Sequence, residues 1–247
     1  MVVGGLDDKL TGAGGIPTGG ILGGDSPAPA GTRMFPVGVR AVVLDKDGVL
    51  VNTEPEHERR LRTYLGERGI DCSEMPCLYG SNNEAIWSWV EPRDLARRGC
   101  LYQGFQKRWR EEPMPYDRLL DPDVPSLLLT LRAAGLRLGL ASSSPVWVIE
   151  DFLHASRLEG LFDAVLSGEQ CVATKPAPDV YLRVMRELGV APGETVAVED
   201  SPTGILAAHR SGAFTCAVPL PEGVALDQSL ADVRLSSLGS LADLIGL

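Results

Sequence analysis

Two kinds of apolar pattern alternate along the chain. Short, nearly unbroken apolar runs occupy residues 39–44 (VRAVVL), 136–141 (LRLGLA), 195–198 (TVAV) and 214–218 (FTCAV). Such runs suit strands buried on both faces of a parallel sheet, where no polar alternation is needed. Between them, apolar residues recur at helical spacing. Residues 126–134 precede the second run, 146–155 follow it, 179–188 (DVYLRVMREL) end at Gly189, and 202–210 precede Gly212. A glycine just past the last periodic residue is a common helix stop. The alternation predicts an α/β fold, an open parallel sheet with helices on both faces. Ligands in such folds gather beyond the carboxyl ends of the strands.

Two stretches break the pattern. Residues 55–125 contain helical candidates at 58–68, 83–89 and 102–112 but no convincing buried strand, so a helical insert over the sheet's carboxyl edge is expected, like a lid. Residues 1–35 hold ten glycines and few large apolar side chains. That composition loses much chain entropy on ordering and buries little in return, which predicts a flexible leader. It has no G-x-x-x-x-G-K-[ST] phosphate loop. The 247 residues then divide into a leader at 1–35, a core at 36–54 and 126–247, and a helical unit at 55–125.

Charge narrows the possible partners. Lys plus Arg number 23 against 33 Asp plus Glu, a net charge of -10. A general nucleic-acid binder needs the opposite balance to replace phosphate counterions, and no apolar run is long enough to span a bilayer. Five dispersed cysteines without zinc spacing, and a start without a basic region and apolar segment, predict a cytoplasmic protein with free thiols.

The strand ends carry the candidate chemistry. The first run leads into Asp45-Lys46-Asp47-Gly48-Val49-Leu50-Val51-Asn52-Thr53-Glu54. Two carboxylates two residues apart can project into one pocket, one attacking as a nucleophile while the other handles a proton. A polar turn is the plain alternative; a calcium loop would need further oxygen ligands at fixed offsets. The second run ends in Ala141-Ser142-Ser143-Ser144-Pro145, where hydroxyls and free N–H groups at a helix start suit an anionic oxygen. Lys175 lies in TKPAPD, and the third run ends in Glu199-Asp200-Ser201-Pro202. Grouping Asp45, Asp47, Glu199 and Asp200 against one lysine demands a cation, and oxygen ligands favour magnesium bridging to a phosphate. The set describes a phosphoryl-transfer site.

In this order, DKDGVLVNTE, LASSSP, TKPAPD and VEDSPTGI resemble the four motifs of the haloacid dehalogenase superfamily, in the branch with a helical cap after the first motif. The resemblance covers about residues 37 to 220 and implies a Rossmann-like core with an inserted α-helical cap. It implies that Asp45 is the nucleophile and forms an aspartyl-phosphate. Asp47 would protonate the leaving oxygen, activate water and offer its carbonyl to Mg2+. Ser142, Ser143 and Lys175 would hold phosphoryl oxygens, and Asp45, Glu199 and Asp200 would complete the metal site. The chain departs from the family at Lys46, usually apolar, and Asn52, usually aspartate. Neither is expected to touch these roles; their expected effect is on cap closure or the local potential.

The implied activity is a Mg2+-dependent phosphatase acting on a small phosphate ester, a sugar, cyclitol or polyol phosphate first and phosphoglycolate second. The main alternative is a β-phosphoglucomutase-like mutase. His57 stands where similar mutases carry a histidine, but Asn83 offers no cap arginine for a second phosphate. A catalytically silent binding protein on the same scaffold is the other alternative. His57 and Asn83 are the candidate substrate-side residues; His154 and His209 are expected to be structural. Eight of the fourteen aromatics fall in 55–125, where a small helical core explains most of them.

Overall fold

The computed structural model of the chain describes residues 33–79 and 83–247. Strand β1 (Ala41–Leu44) is followed by α1 (Glu54–Gly66), α2 (Asn83–Val90), α3 (Leu95–Glu111), α4 (Tyr116–Leu119) and α5 (Val124–Ala133). Then come β2 (Arg137–Ser142), α6 (Val146–Ala155), β3 (Ala164–Ser167), α7 (Asp179–Leu188), β4 (Thr195–Glu199), α8 (Pro202–Ser211), β5 (Phe214–Ala217), β6 (Val233–Arg234) and α9 (Ser240–Ile245).

All six strands are parallel, in the order β3-β2-β1-β4-β5-β6. This is the parallel α/β sheet expected from the pattern, in the Rossmann-like form that the resemblance implied. The four expected strands are the central four; β3 and β6 are the two edges. Edge strand β6 spans only Val233 and Arg234, too little to leave an apolar run, and β3 is one residue less fully buried than the central β1. Central β1 is completely buried at each of its four residues.

The sheet reverses direction at β1, with β2 on one side and β4 on the other. A crevice therefore opens beyond the ends of β1 and β4. Leu44 pairs with Val198, and the Asp45 amide continues the ladder to the Val198 carbonyl at 3.0 Å. Sheet register thus sets Asp45 beside Glu199.

One side-chain cluster, including Leu44, Leu128, Leu140, Phe152 and Val198, and a second around Tyr181 and Val184 build the core. A third cluster, with Leu61, Tyr64, Leu65, Trp87 and Phe105, belongs to α1–α3. Helix α3 begins seven residues before the expected 102, because the Asp94 side chain accepts from the Arg97 amide at 2.9 Å and starts it early. Of the expected leader, residues 1–32 lie outside the described residues. Arg33 donates to the Ala213 carbonyl at 3.0 Å, and Phe35 meets Phe214 edge-on at 5.1 Å, so 33 and 35 dock on the core.

Among the described residues no helix is long and apolar enough to cross a membrane. No disulfide links any of the five cysteines. His154 is exposed and meets Glu159 at 3.1 Å, and His209 lies against Arg33.

Candidate active site

The end of β1 delivers Asp45, and the turn behind it is possible because residue 48 is glycine. Gly48 has a φ of +83°, and a Cβ there would come within 2.0 Å of the Asp200 Oδ2. Gly204 lies equally close to Glu199, where a Cβ would meet Oε1 at 2.0 Å. Both acids after β4 therefore pack against hydrogen atoms where any other residue would place carbon.

Lys175 is the electrostatic centre of the floor. Its Nζ donates to Asp45 Oδ1 at 2.6 Å, to Glu199 Oε1 at 2.6 Å and to the Ala141 carbonyl at 3.0 Å. All three ammonium protons are used. Burial opposes its charge, but the two carboxylates more than reverse this and raise its pKa. Tyr181, fully buried on α7, donates to the same Glu199 oxygen at 2.6 Å. The other oxygen accepts from the Asp200 amide at 3.2 Å and the Ser201 hydroxyl at 3.3 Å. Four donors occupy Glu199.

Burial pushes Asp45 up to about 7, with Lys175 opposing and Glu199 and Asp47 adding to the rise. Burial also pushes Asp200 up to about 9, helped by Glu199 and Asp45. The ligand oxygens of Asp45, Glu199 and Asp200 lie within 4.8 Å of one another. Such an all-oxygen, charge-crowded set fits a hard divalent cation, which would relieve the repulsion.

Asp47 behaves differently. Its Oδ1 accepts from Lys46 Nζ and Thr53 Oγ1, each at 2.6 Å, and its Oδ2 accepts from Ser144 Oγ at 2.9 Å. Burial acts against ionisation, but Lys46 and these hydrogen bonds win and hold its pKa below the usual carboxylate range. Lys46 thus sets the local potential, as expected of it, and does so by direct contact with Asp47. Its side chain is only 1% exposed, and its Nζ, 5.6 Å from the ring centres of Tyr116 and Phe152, grips a candidate catalytic acid. Alternation along a strand would have pointed it away from its neighbours; a four-carbon stem lets the charge return. Asn52 is exposed and accepts from the Tyr79 hydroxyl at 3.2 Å.

One cavity of about 590 Å³ collects these groups. Asp45, Asp47, Ser143, Lys175, Asp200 and His57 all line it. Ser142 does not: it is buried behind, its Oγ accepting from the Ser144 amide at 3.0 Å. Glu199 stands behind Lys175 in the same way. Asn83 opens α2, and its side chain lies outside the described residues. Thr53, Ser144 and Tyr181 were missed as site residues. Thr53 and Ser144 sit inside motifs that could have flagged them, whereas Tyr181 reads only as one apolar position of α7.

The opposite wall comes from α1–α3. His57 stacks on Phe105 at 5.7 Å and meets Trp109 edge-on at 4.7 Å. Burial lowers its pKa to about 4, against the pull of Asp47, so the ring is neutral at pH 7. Burial and the Asp47 charge raise Glu54 to about 7. The aromatics expected to form a core divide: Tyr64 and Trp87 pack inside, while Tyr102, Phe105 and Trp109 also face the cavity.

A parallel sheet that brings two aspartates, a buried lysine and an acidic pair to one crevice defines a class of α/β enzymes. These handle anionic groups with carboxylates and a cation. The chain belongs to the haloacid dehalogenase-like hydrolases, whose family model matches residues 39–212. It is 33% identical over 220 residues to hexitol phosphatase B of Escherichia coli (strain K12), covering 84% of this chain and 97% of that one. Its fold is similar to that of β-phosphoglucomutase from Clostridium difficile, with a TM-score of 0.66, 22% identity, and 82% and 93% of the two chains covered. It is also similar to a variant of CbbY from Rhodobacter sphaeroides solved with xylulose-1,5-bisphosphate, with a TM-score of 0.59, 23% identity, and 82% and 96% covered.

Proposed function

We propose that the protein is a Mg2+-dependent phosphatase that hydrolyses a small phosphorylated metabolite through an aspartyl-phosphate on Asp45. A sugar, cyclitol or polyol phosphate is the first choice of substrate and phosphoglycolate the second. The reading rests on one observation above all: Asp45 stands at the sheet's switch point with Lys175 at 2.6 Å and Asp200 beside it, facing a cavity. The relationship to hexitol phosphatase B supports a polyol phosphate.

Asp45 and Asp200, with the main-chain carbonyl of Asp47, would hold the cation. When bound, Mg2+ neutralises the acids and polarises a phosphoryl oxygen. Glu199, expected as a further ligand, is better used keeping Lys175 in place, since four donors already surround it. An oxygen of Asp45 attacks phosphorus while the bond to the leaving oxygen breaks. Lys175 and the Ser143 region, with Ser142 behind it, balance the phosphoryl charge. Water then attacks the aspartyl-phosphate, Asp47 takes its proton, and Asp45 is regenerated with release of phosphate. The contacts of Asp47 favour its ionised form, which suits the second step. Protonating the leaving oxygen requires loosening the hold of Lys46 or Ser144.

The test is phosphate release from p-nitrophenyl phosphate with and without Mg2+, comparing the native protein with Asp45→Asn. Loss of at least about 10⁴-fold in kcat is expected. Undiminished turnover by the variant would remove Asp45 as nucleophile, and no turnover of any phosphate ester by the native protein would favour a silent binding protein. The mutase alternative predicts isomerisation of a hexose 1-phosphate without free phosphate.

A further inference from the structure

Charge on the cavity's two sides is unequal. Lys46 and Lys175 are its lining cations among the described residues, and both lie on the strand-end floor, each within 2.6 Å of a carboxylate. The wall from α1–α3 contributes two acidic groups, Glu84 and Glu54, the latter raised to about 7 by burial and by Asp47, together with Gln106, Tyr102, Trp109 and the neutral His57. Two arginines stand behind lining rings without lining the cavity themselves: Arg60 over Trp109 at 5.3 Å, and Arg110 over Trp147 at 5.2 Å, the latter in an outer groove with Lys107 that adjoins the cavity at Gln106.

A second anionic group on a bound substrate would thus face two carboxylates and no cation. An uncharged, hydroxylated remainder would find acceptors in Glu54, Glu84 and Gln106, and ring faces in Trp109 and Tyr102. We propose that this wall is a charge filter: the enzyme takes monophosphates whose remainder is neutral and hydroxylated, and rejects esters bearing a second phosphate or a carboxylate. Glu54 and Glu84 are its specificity-determining residues. The inference rests on the phosphatase reading and sharpens it by excluding phosphoglycolate and bisphosphates.

Matched pairs test it. With Mg2+ and the full chain, kcat/KM is measured for sorbitol 6-phosphate against 6-phosphogluconate, which differ by a terminal carboxylate, and for fructose 6-phosphate against fructose 1,6-bisphosphate. The neutral member of each pair is expected to be preferred by at least about 30-fold, the scale of like-charge repulsion in a partly buried site. Glu84→Lys, at an exposed helix position where folding is not at stake, should narrow both ratios by about tenfold. Glu54→Gln should narrow them less, because that acid is held near neutrality. Native ratios near one, with p-nitrophenyl phosphate still hydrolysed, would overturn the filter and leave the phosphatase reading standing. In that case, loss of bisphosphate turnover in Arg110→Ala would assign the second anion to the rim. Ratios unchanged in both glutamate variants would overturn the assignment to these residues.

Discussion

The floor and the helical wall of the cavity are built on opposite principles. On the floor, Asp45, Lys175, Glu199 and Asp200 are fixed by strand ends, glycine-enabled close approach and hydrogen bonds of 2.6 Å. The wall is aromatic, has few polar groups, and its histidine is neutral. A buried floor crowded with charge suits a reaction whose difficulty is charge, since fixed groups need no reorganisation when the phosphoryl group transfers. A wall of ring faces and scattered acceptors suits choosing among leaving groups.

Proton-linked metal binding should show the largest difference between the two. Without a cation, Asp45 and Asp200, at about 7 and about 9, hold protons that a metal must displace. Apparent Mg2+ affinity should therefore rise as pH increases, by up to about 1,000-fold from pH 6 to 8 if both protons are displaced. Both raised values mean that the folded state binds more protons than the unfolded chain above pH 3.8. Their contribution to metal-free stability therefore falls as pH rises from there through about 7 and about 9, and Mg2+ should offset the loss. Calorimetry in two buffers of different ionisation enthalpy measures the protons released. Binding without proton release would mean that these acids do not hold the metal.

Lys46→Met comes next. It removes the ammonium from Asp47 but keeps an apolar stem between Tyr116 and Phe152, so kcat should fall about tenfold with KM little changed. An equal effect on both constants, or none, would show that the 2.6 Å contact does not position Asp47 for chemistry. The smallest effect belongs to the wall. Trp109→Phe trims one ring face and should raise KM for a polyol phosphate about threefold, the scale of a single aromatic contact. A fall in kcat larger than that for Lys46→Met would dissolve the division between a chemical floor and a selective wall.

Different physical signals explain what was legible. Central strands announce themselves because burial on both faces requires unbroken apolar runs, while β3 and β6, at the edges, do not. The four strand-end motifs were readable because charge and glycine at the ends of apolar runs have few structural explanations. Tyr181 was not, since its ring fills an ordinary helix position and only its hydroxyl reaches Glu199. Nor was the contact of Lys46 with Asp47, because backbone alternation says where a side chain starts and not where a long one ends.

From the sequence alone followed the parallel α/β architecture, the candidate nucleophile with its neighbouring acid, the lysine, and the need for a cation. These depend on local pattern and on charges that cannot be buried together unpaired. The tertiary structure alone decided that Lys175 serves Asp45 and Glu199 at once, that Ser142 stands behind the cavity while Ser143 and Ser144 face it, and that Lys46 grips Asp47. It also decided that the wall opposite the phosphate side carries carboxylates without a lining cation. Each of these is a contact between segments distant in the chain, or the reach of a long side chain. Only packing sets such distances.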